Sequence, residues 1–156
     1  MTSNSEFHYW DDFVSGQTLK LGSRKVTREE IIKFAKSFDP QPFHLEEAAA
    51  QNSEFRGLAA SGWHSCIILQ QLIDDGFLNK SAHLQSPGVA EVFWRIPVRP
   101  DEVLVAIMTV EDVQPLADFP DAGLCRMRYD LTNQHGQVAM TWICTHYFEG
   151  RPQKEN

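Results

Sequence analysis

Gly62-Trp63-His64-Ser65-Cys66-Ile67-Ile68-Leu69-Gln70-Gln71-Leu72-Ile73-Asp74-Asp75-Gly76 is the stretch that decides the fold. After Trp63, the residues Cys66, Ile67, Ile68, Leu69, Leu72 and Ile73 make it apolar around most of a helical circumference. A helix of that kind is wrapped by other elements rather than laid on a surface. Gly76 is placed to act as its C-terminal cap. Upstream, Thr27-Arg28-Glu29-Glu30 forms a capping box, in which the hydroxyl accepts from the Glu30 amide while Glu30 reaches back. Ile31, Phe34, Ala35 and Phe38 then recur at helical spacing, which predicts a short amphipathic helix from about Arg28 to Phe38. Glu46-Glu47 followed by Ala48, Ala49 and Ala50 predicts a second small helix up to about Asn52.

Beyond residue 87 the apolar period changes from helical to two. Val89 to Val98 reads as one strand and Val103 to Val113 as a long second one. In Leu124 to Leu131, Cys125, Met127, Tyr129 and Leu131 face one way and Arg126, Arg128 and Asp130 the other. Asn133-Gln134-His135-Gly136 supplies a turn, and Val138 to Phe148 returns as a central strand. A fifth strand is expected near Leu19 to Val26. One buried helix and an antiparallel sheet able to curl around it make an α+β layout.

Composition narrows the function classes. The 156 residues suit a single domain, expected over 7–150 with loose ends at 1–6 and 151–156. Fourteen Lys and Arg against 21 Asp and Glu give a net charge of −7, which argues against a nucleic-acid surface. No apolar run is long enough for a membrane span, and Met1 to Glu6 lacks a secretory apolar core. Cys66, Cys125 and Cys144 are odd in number, unpaired by any C-x-x-C spacing and set among apolar residues. They read as buried reduced thiols, and the expected location is cytoplasmic. His8, His83, His135 and His146 are too scattered along the chain for a metal set, so no metal is expected.

Asp39-Pro40-Gln41-Pro42-Phe43-His44 places a carboxylate and an imidazole five residues apart on a segment stiffened by two prolines. An acid and a base held on one rigid turn are what water activation requires. The same spacing also fits a helix-ending turn with a solvated Asp and a packed His. The flanking blocks decide between the two readings.

Those blocks make the chain resemble the MaoC-like acyl dehydratases, a branch of the hotdog fold that includes the R-specific enoyl-CoA hydratases. Around the turn the family pattern is roughly Asp-x-Asn-Pro-x-His, matched here by Asp39, Pro42 and His44, with Gln41 in place of the Asn. Ala48-Ala49-Ala50, Phe55 and Gly57 follow in register, and then Ala60-Ser61-Gly62-Trp63-His64, similar to one subgroup. Ser86-Pro87-Gly88, Pro97-Val98-Arg99-Pro100 and Asn133-Gln134-x-Gly136 extend the likeness from about Phe13 to Phe148. Three places depart from it. Asp101-Glu102 stands for the usual Gly-Asp; the loop Gln114 to Asp121 lacks the subgroup's basic residues; and Gln70 stands where some hydratases have a supporting Ser.

The resemblance implies a single hotdog domain, a sheet wrapped around a central helix, that forms a homodimer or higher oligomer with sites at the interface. It implies reversible addition of water to a trans-2-enoyl thioester, giving the 3-hydroxyacyl thioester. No cofactor is needed beyond the CoA or acyl-carrier handle of the small-molecule substrate. Asp39 and His44 would hold the water between them. Gly62, just before the buried helix, would offer its N–H to the enolate oxygen, since a helix start has unpaired amides and a positive dipole end. Ser61, His64, Gln70, Arg95 and Arg99 are the substrate-binding candidates. His64 fits packing or support better than chemistry, and Arg56, Arg95 and Arg99 are the cations available to CoA phosphates. Trp63, Phe43, Phe93 and Trp94 are able to line an acyl tunnel, but aromatics in alternating strands are more often core, and they are read as core. The alternatives are an acyl-CoA thioesterase, using Glu46, Glu47 or Asp39, and a non-catalytic acyl-CoA-binding subunit.

Overall fold

The computed structural model describes residues 6–153. Five strands form one antiparallel sheet: β1 (Thr18–Lys25), β2 (His83–Trp94), β3 (Val103–Leu116), β4 (Phe119–Thr132) and β5 (Val138–Glu149), in the order β1-β3-β4-β5-β2. Among the described residues four α-helices precede β2: α1 (Arg28–Phe38), α2 (Pro42–Leu45), α3 (Glu47–Gln51) and α4 (Gly62–Gly76). Sheet and long helix together are the α+β arrangement of the hotdog fold.

The capping box forms: Glu30 N–H donates to Thr27 Oγ1 at 3.2 Å, and Thr27 N–H to Glu30 Oε2 at 2.9 Å. The alternation read in the strands sets the core. Met108 pairs with Tyr129 and Tyr129 with Trp142, while Val110 pairs with Met127 and Met127 with Cys144. These side chains join Ile68, Leu69, Leu72 and Ile73 of α4 in one buried cluster, with Trp142 half-buried against it. All three cysteines are free and buried, and burial pushes the Cys125 thiol up to about 12.

Four expectations need correction. Helix α4 is not enclosed on all sides: Trp63 and Ile67 are exposed. Gly76 is the last helical residue rather than a cap beyond it, and Phe77 follows with φ −149°. A Cβ on Gly76 would lie 2.1 Å from Leu21 O, so the close approach of α4 to β1 is what requires glycine there. Strand β2 begins earlier than read, since His83 and Gln85 already pair with Phe148 and Tyr147, and it ends earlier because Arg95 and Ile96 both turn their N–H groups to Ala139 O, at 2.8 and 3.4 Å, and leave the ladder. The supposed loop Gln114 to Asp121 is mostly hairpin: β3 and β4 continue to a two-residue turn, with Leu116 opposite Phe119.

His83 and His146 are also closer than their sequence spacing implies. His146 Nδ1 lies 3.3 Å from His83 Nε2 and 2.6 Å from Ser86 Oγ, and its Nε2 lies 2.8 Å from the Tyr129 hydroxyl. This hydrogen-bonded chain ties β2 to the sheet, and it includes no third metal-ligating side chain among the described residues. The expected loose ends fall mainly on residues 1–5 and 154–156, outside the described ones. Within them, Arg151 is bound to Asp12 through its guanidinium at 2.6 and 2.9 Å and to Asp11 through its N–H at 2.6 Å.

Candidate active site

Asp39 closes α1, its N–H donating to Ala35 O at 3.0 Å, with φ −150° and ψ 71°. The residue before a proline is pushed out of helical geometry, so Pro40 stops the helix at this carboxylate. Pro42 takes the first position of α2, where its missing N–H removes no bond. That single turn, read from sequence as a plain turn, returns His44 towards Asp39. His44 Nε2 lies 3.5 Å from Asp39 Oδ2, and the imidazole is buried.

The two groups are held from behind. His44 Nδ1 lies 2.7 Å from Ala59 O, an oxygen that can only accept, so Nδ1 carries a proton and Nε2 is the ring nitrogen turned towards Asp39. Asp39 receives two side-chain donors: Ser61 Oγ at 2.7 Å on Oδ2 and Gln41 Nε2 at 2.9 Å on Oδ1. The Ser61 hydroxyl does most to hold the Asp39 carboxyl below the ordinary carboxylate value; burial opposes it, and Gln41 and His44 add to it. Asp39 is therefore ionised at neutral pH. Gln41, which stands in place of the motif's Asn, is thus a donor to the acid two residues before it.

Ser61 is also the N-cap of α4, accepting the Trp63 N–H at 3.3 Å. Gly62 follows as the first helical residue, and among the described residues its N–H has no acceptor in the chain. The preceding loop is fixed by Ala60 N–H to Val98 O at 2.9 Å and by the Arg99 guanidinium, which donates to Gly57 O at 2.7 Å, to Leu58 O and to Phe55 O.

A cavity of about 410 Å³ opens beside these groups. Asp39, Gln41, His44, Gly62 and Arg95 supply its polar wall, and Phe43, Phe55, Trp63 and Trp94 part of its apolar one. Arg95 is anchored through Nε to Thr141 Oγ1 at 3.0 Å, with its guanidinium 5.3 Å from the Phe93 ring centre. The structure brings Asp39, His44, Gly62 and Arg95 to one cavity, with Ser61 immediately behind the carboxylate. It does not bring His64, Gln70 or Arg99 there. His64 is buried and stacked on Phe34 at 4.6 Å, and burial pushes its imidazole below the usual value. Gln70 donates to Asp74 on its own helix at 2.8 Å, and Arg99 is occupied by loop carbonyls. Of the aromatics read as core, Phe43, Trp63 and Trp94 line the cavity and Phe93 does not. Period-two alternation separates Trp94 from Phe93, but only the course of the chain after β2 shows which of them meets α4.

The family model for the MaoC-like domain matches residues 12–120. The chain is 36% identical over 106 residues to YdeM of Bacillus subtilis, a protein described as uncharacterized, covering 67% of this chain and 74% of that protein. It is 26% identical over 119 residues to an (R)-specific enoyl-CoA hydratase of Rhodospirillum rubrum, covering 72% of this chain and 76% of that one. A crystal structure of a MaoC-like dehydratase from the same organism superposes with a TM-score of 0.86 at 33% identity, covering 94% of this chain and 99% of that one.

Proposed function

The chain belongs to the MaoC-like domain family, and on that premise we propose that it is a hydratase that reversibly adds water to a trans-2-enoyl thioester. The observation that carries this reading is the facing pair of Asp39 and His44 beside a free Gly62 amide, at one cavity.

A separation of 3.5 Å is too short for a water in line between Oδ2 and Nε2, given hydrogen bonds of about 2.8 Å each. A shared water therefore sits beside the pair, on the cavity side. A carboxylate held below its ordinary range is a poor proton acceptor, so the water's proton passes to the Nε2 lone pair of His44. Asp39 orients the water and offsets the charge of the imidazolium. The oxygen attacks C3, the C2–C3 π electrons move to the thioester oxygen as an enolate, and the Gly62 N–H receives that charge. The imidazolium then returns its proton to C2. Water has been added, the imidazole is neutral again, and the reverse sequence is dehydration.

Of the three carboxylates open to the thioesterase reading, only Asp39 lines the cavity, and it is turned to His44. Glu47 is bonded to Arg28 at 2.9 Å and to Gln51 at 2.9 Å, and neither Glu46 nor Glu47 lines the cavity. The test is a panel of trans-2-enoyl-CoA substrates, with loss of enoyl absorbance and release of free thiol followed in parallel. The proposal expects absorbance to fall without thiol; thiol release at the same rate would replace it with the thioesterase.

The active form proposed is a pair of copies. Val89, Phe93 and Trp94 on the edge strand β2, with Trp63 and Ile67 on α4, are large exposed apolar side chains. Trp63 and Trp94 also line the cavity, which supports placing the pairing face next to the site.

A further inference from the structure

Gly62 does not need to be glycine for its own backbone, which is outside the left-handed region. The indole of Trp94 is what requires it. A Cβ on residue 62 would lie 2.5 Å from Trp94 Cε2 and 2.7 Å from Nε1. The missing side chain thus admits the indole rather than a ligand. Trp94 Nε1–H donates to Gly62 O at 2.9 Å, and its ring meets Trp63 edge-on with centroids 5.2 Å apart. Trp94 is the last residue of β2, and the chain is pinned directly after it by Arg95 N–H to Ala139 O at 2.8 Å.

We propose that Trp94 is a positioning residue that clamps the first turn of α4, so that the Gly62 N–H stays directed at a thioester oxygen in the cavity. Glycine has the widest backbone freedom of any residue, and a free amide at a helix start has no intrahelical bond to hold it. Ser61 restrains one side of the donor by capping Trp63 N–H, and Trp94 restrains the other by fixing the Gly62 carbonyl and covering its Cα. The inference rests on the reading of Gly62 as the oxygen's donor.

Trp94→Phe keeps a ring over Gly62 and removes the indole donor. The full chain, labelled with ¹⁵N-glycine, is titrated with butyryl-CoA, a saturated thioester that cannot be hydrated, and crotonyl-CoA hydration is measured alongside. In the parent, the Gly62 amide resonance should move on adding butyryl-CoA. In Trp94→Phe it should start displaced and move less, and kcat should fall about tenfold with little change in KM, as expected when a contact that strengthens in the transition state is weakened. An unmoved resonance with unchanged kcat overturns the inference, and so does a raised KM with unchanged kcat, which would make Trp94 only a cavity wall. The two readings fail separately. A parent that shows the Gly62 response to butyryl-CoA but hydrates no enoyl-CoA loses the hydratase function and keeps the clamp. A parent that hydrates crotonyl-CoA while Gly62 ignores butyryl-CoA keeps the function and loses the clamp.

Discussion

Ser61 donates to Asp39 Oδ2 at 2.7 Å and accepts from Trp63 N–H at 3.3 Å, so one hydroxyl joins the carboxylate to the first turn of α4. Its hydrogen bond is the main cause of the lowered Asp39 value, ahead of opposing burial and of the contributions of Gln41 and His44. A carboxylate lowered on folding adds stability above its unfolded value of 3.8, and that stability is lost as pH falls through the lower folded value. Removing the donor raises the folded value. Ser61→Ala should therefore raise the pH at which the Asp39 carboxyl titrates, read by carboxyl NMR, and it should also lose about 1 kcal/mol of stability as an N-cap deletion. An Asp39 titration that does not move would contradict this role. That Asp39 and His44 stand together on one turn was expected from the motif and its flanking blocks, since the spacing alone also fits a plain helix-ending turn. The pairing of Ser61 with Asp39 could not be read from sequence, because it spans 22 residues and depends on where the loop before α4 returns.

Helix α4 presses its C-terminal end onto β1, where the ladder slips between Lys20 and Gly22. Alanine usually stabilises a helix over glycine by about 1 kcal/mol. At Gly76 the added methyl would meet the Leu21 backbone, which cannot turn aside as a side chain can. Gly76→Ala should thus lower the thermal midpoint, by overpacking of about 1–3 kcal/mol, and a raised midpoint in a melting curve would contradict the contact. Elements with local signals were legible: the Thr27–Glu30 box and the 3.6-residue period set α1 at its observed limits. The end of the β3–β4 hairpin was not, because Pro115 and Pro120 lack the ladder N–H and read as loop. Both lie beyond the last residues paired with β1 and β5, where one missing donor breaks no central bond.

At the scale of the molecule, an antiparallel sheet against one apolar helix was readable from the switch between the two periodicities, since both describe the same buried face. What covers the outer side of α4 was not readable from periodicity, which reports that a side chain is apolar and not which chain buries it. Trp63, at 60% exposure, shows that this chain alone does not bury it. With β2 as the pairing edge, the parent should have a dimer's mass in light scattering. Val89→Lys, which puts a charge on that edge, should shift the mass towards the monomer and reduce hydration; a strictly monomeric parent would contradict the pairing. The central claim is that Asp39 and His44 act as one unit on one water, and a mutant cycle on enoyl-CoA hydration tests it most directly. Asp39→Asn and His44→Ala should each lower kcat by about 10²-fold or more while the variants still fold. The double variant should be little worse than the poorer single one, because groups acting together are not additive. Single variants that hydrate at near the parent rate, or a double variant whose loss is the product of the two single losses, would contradict the claim.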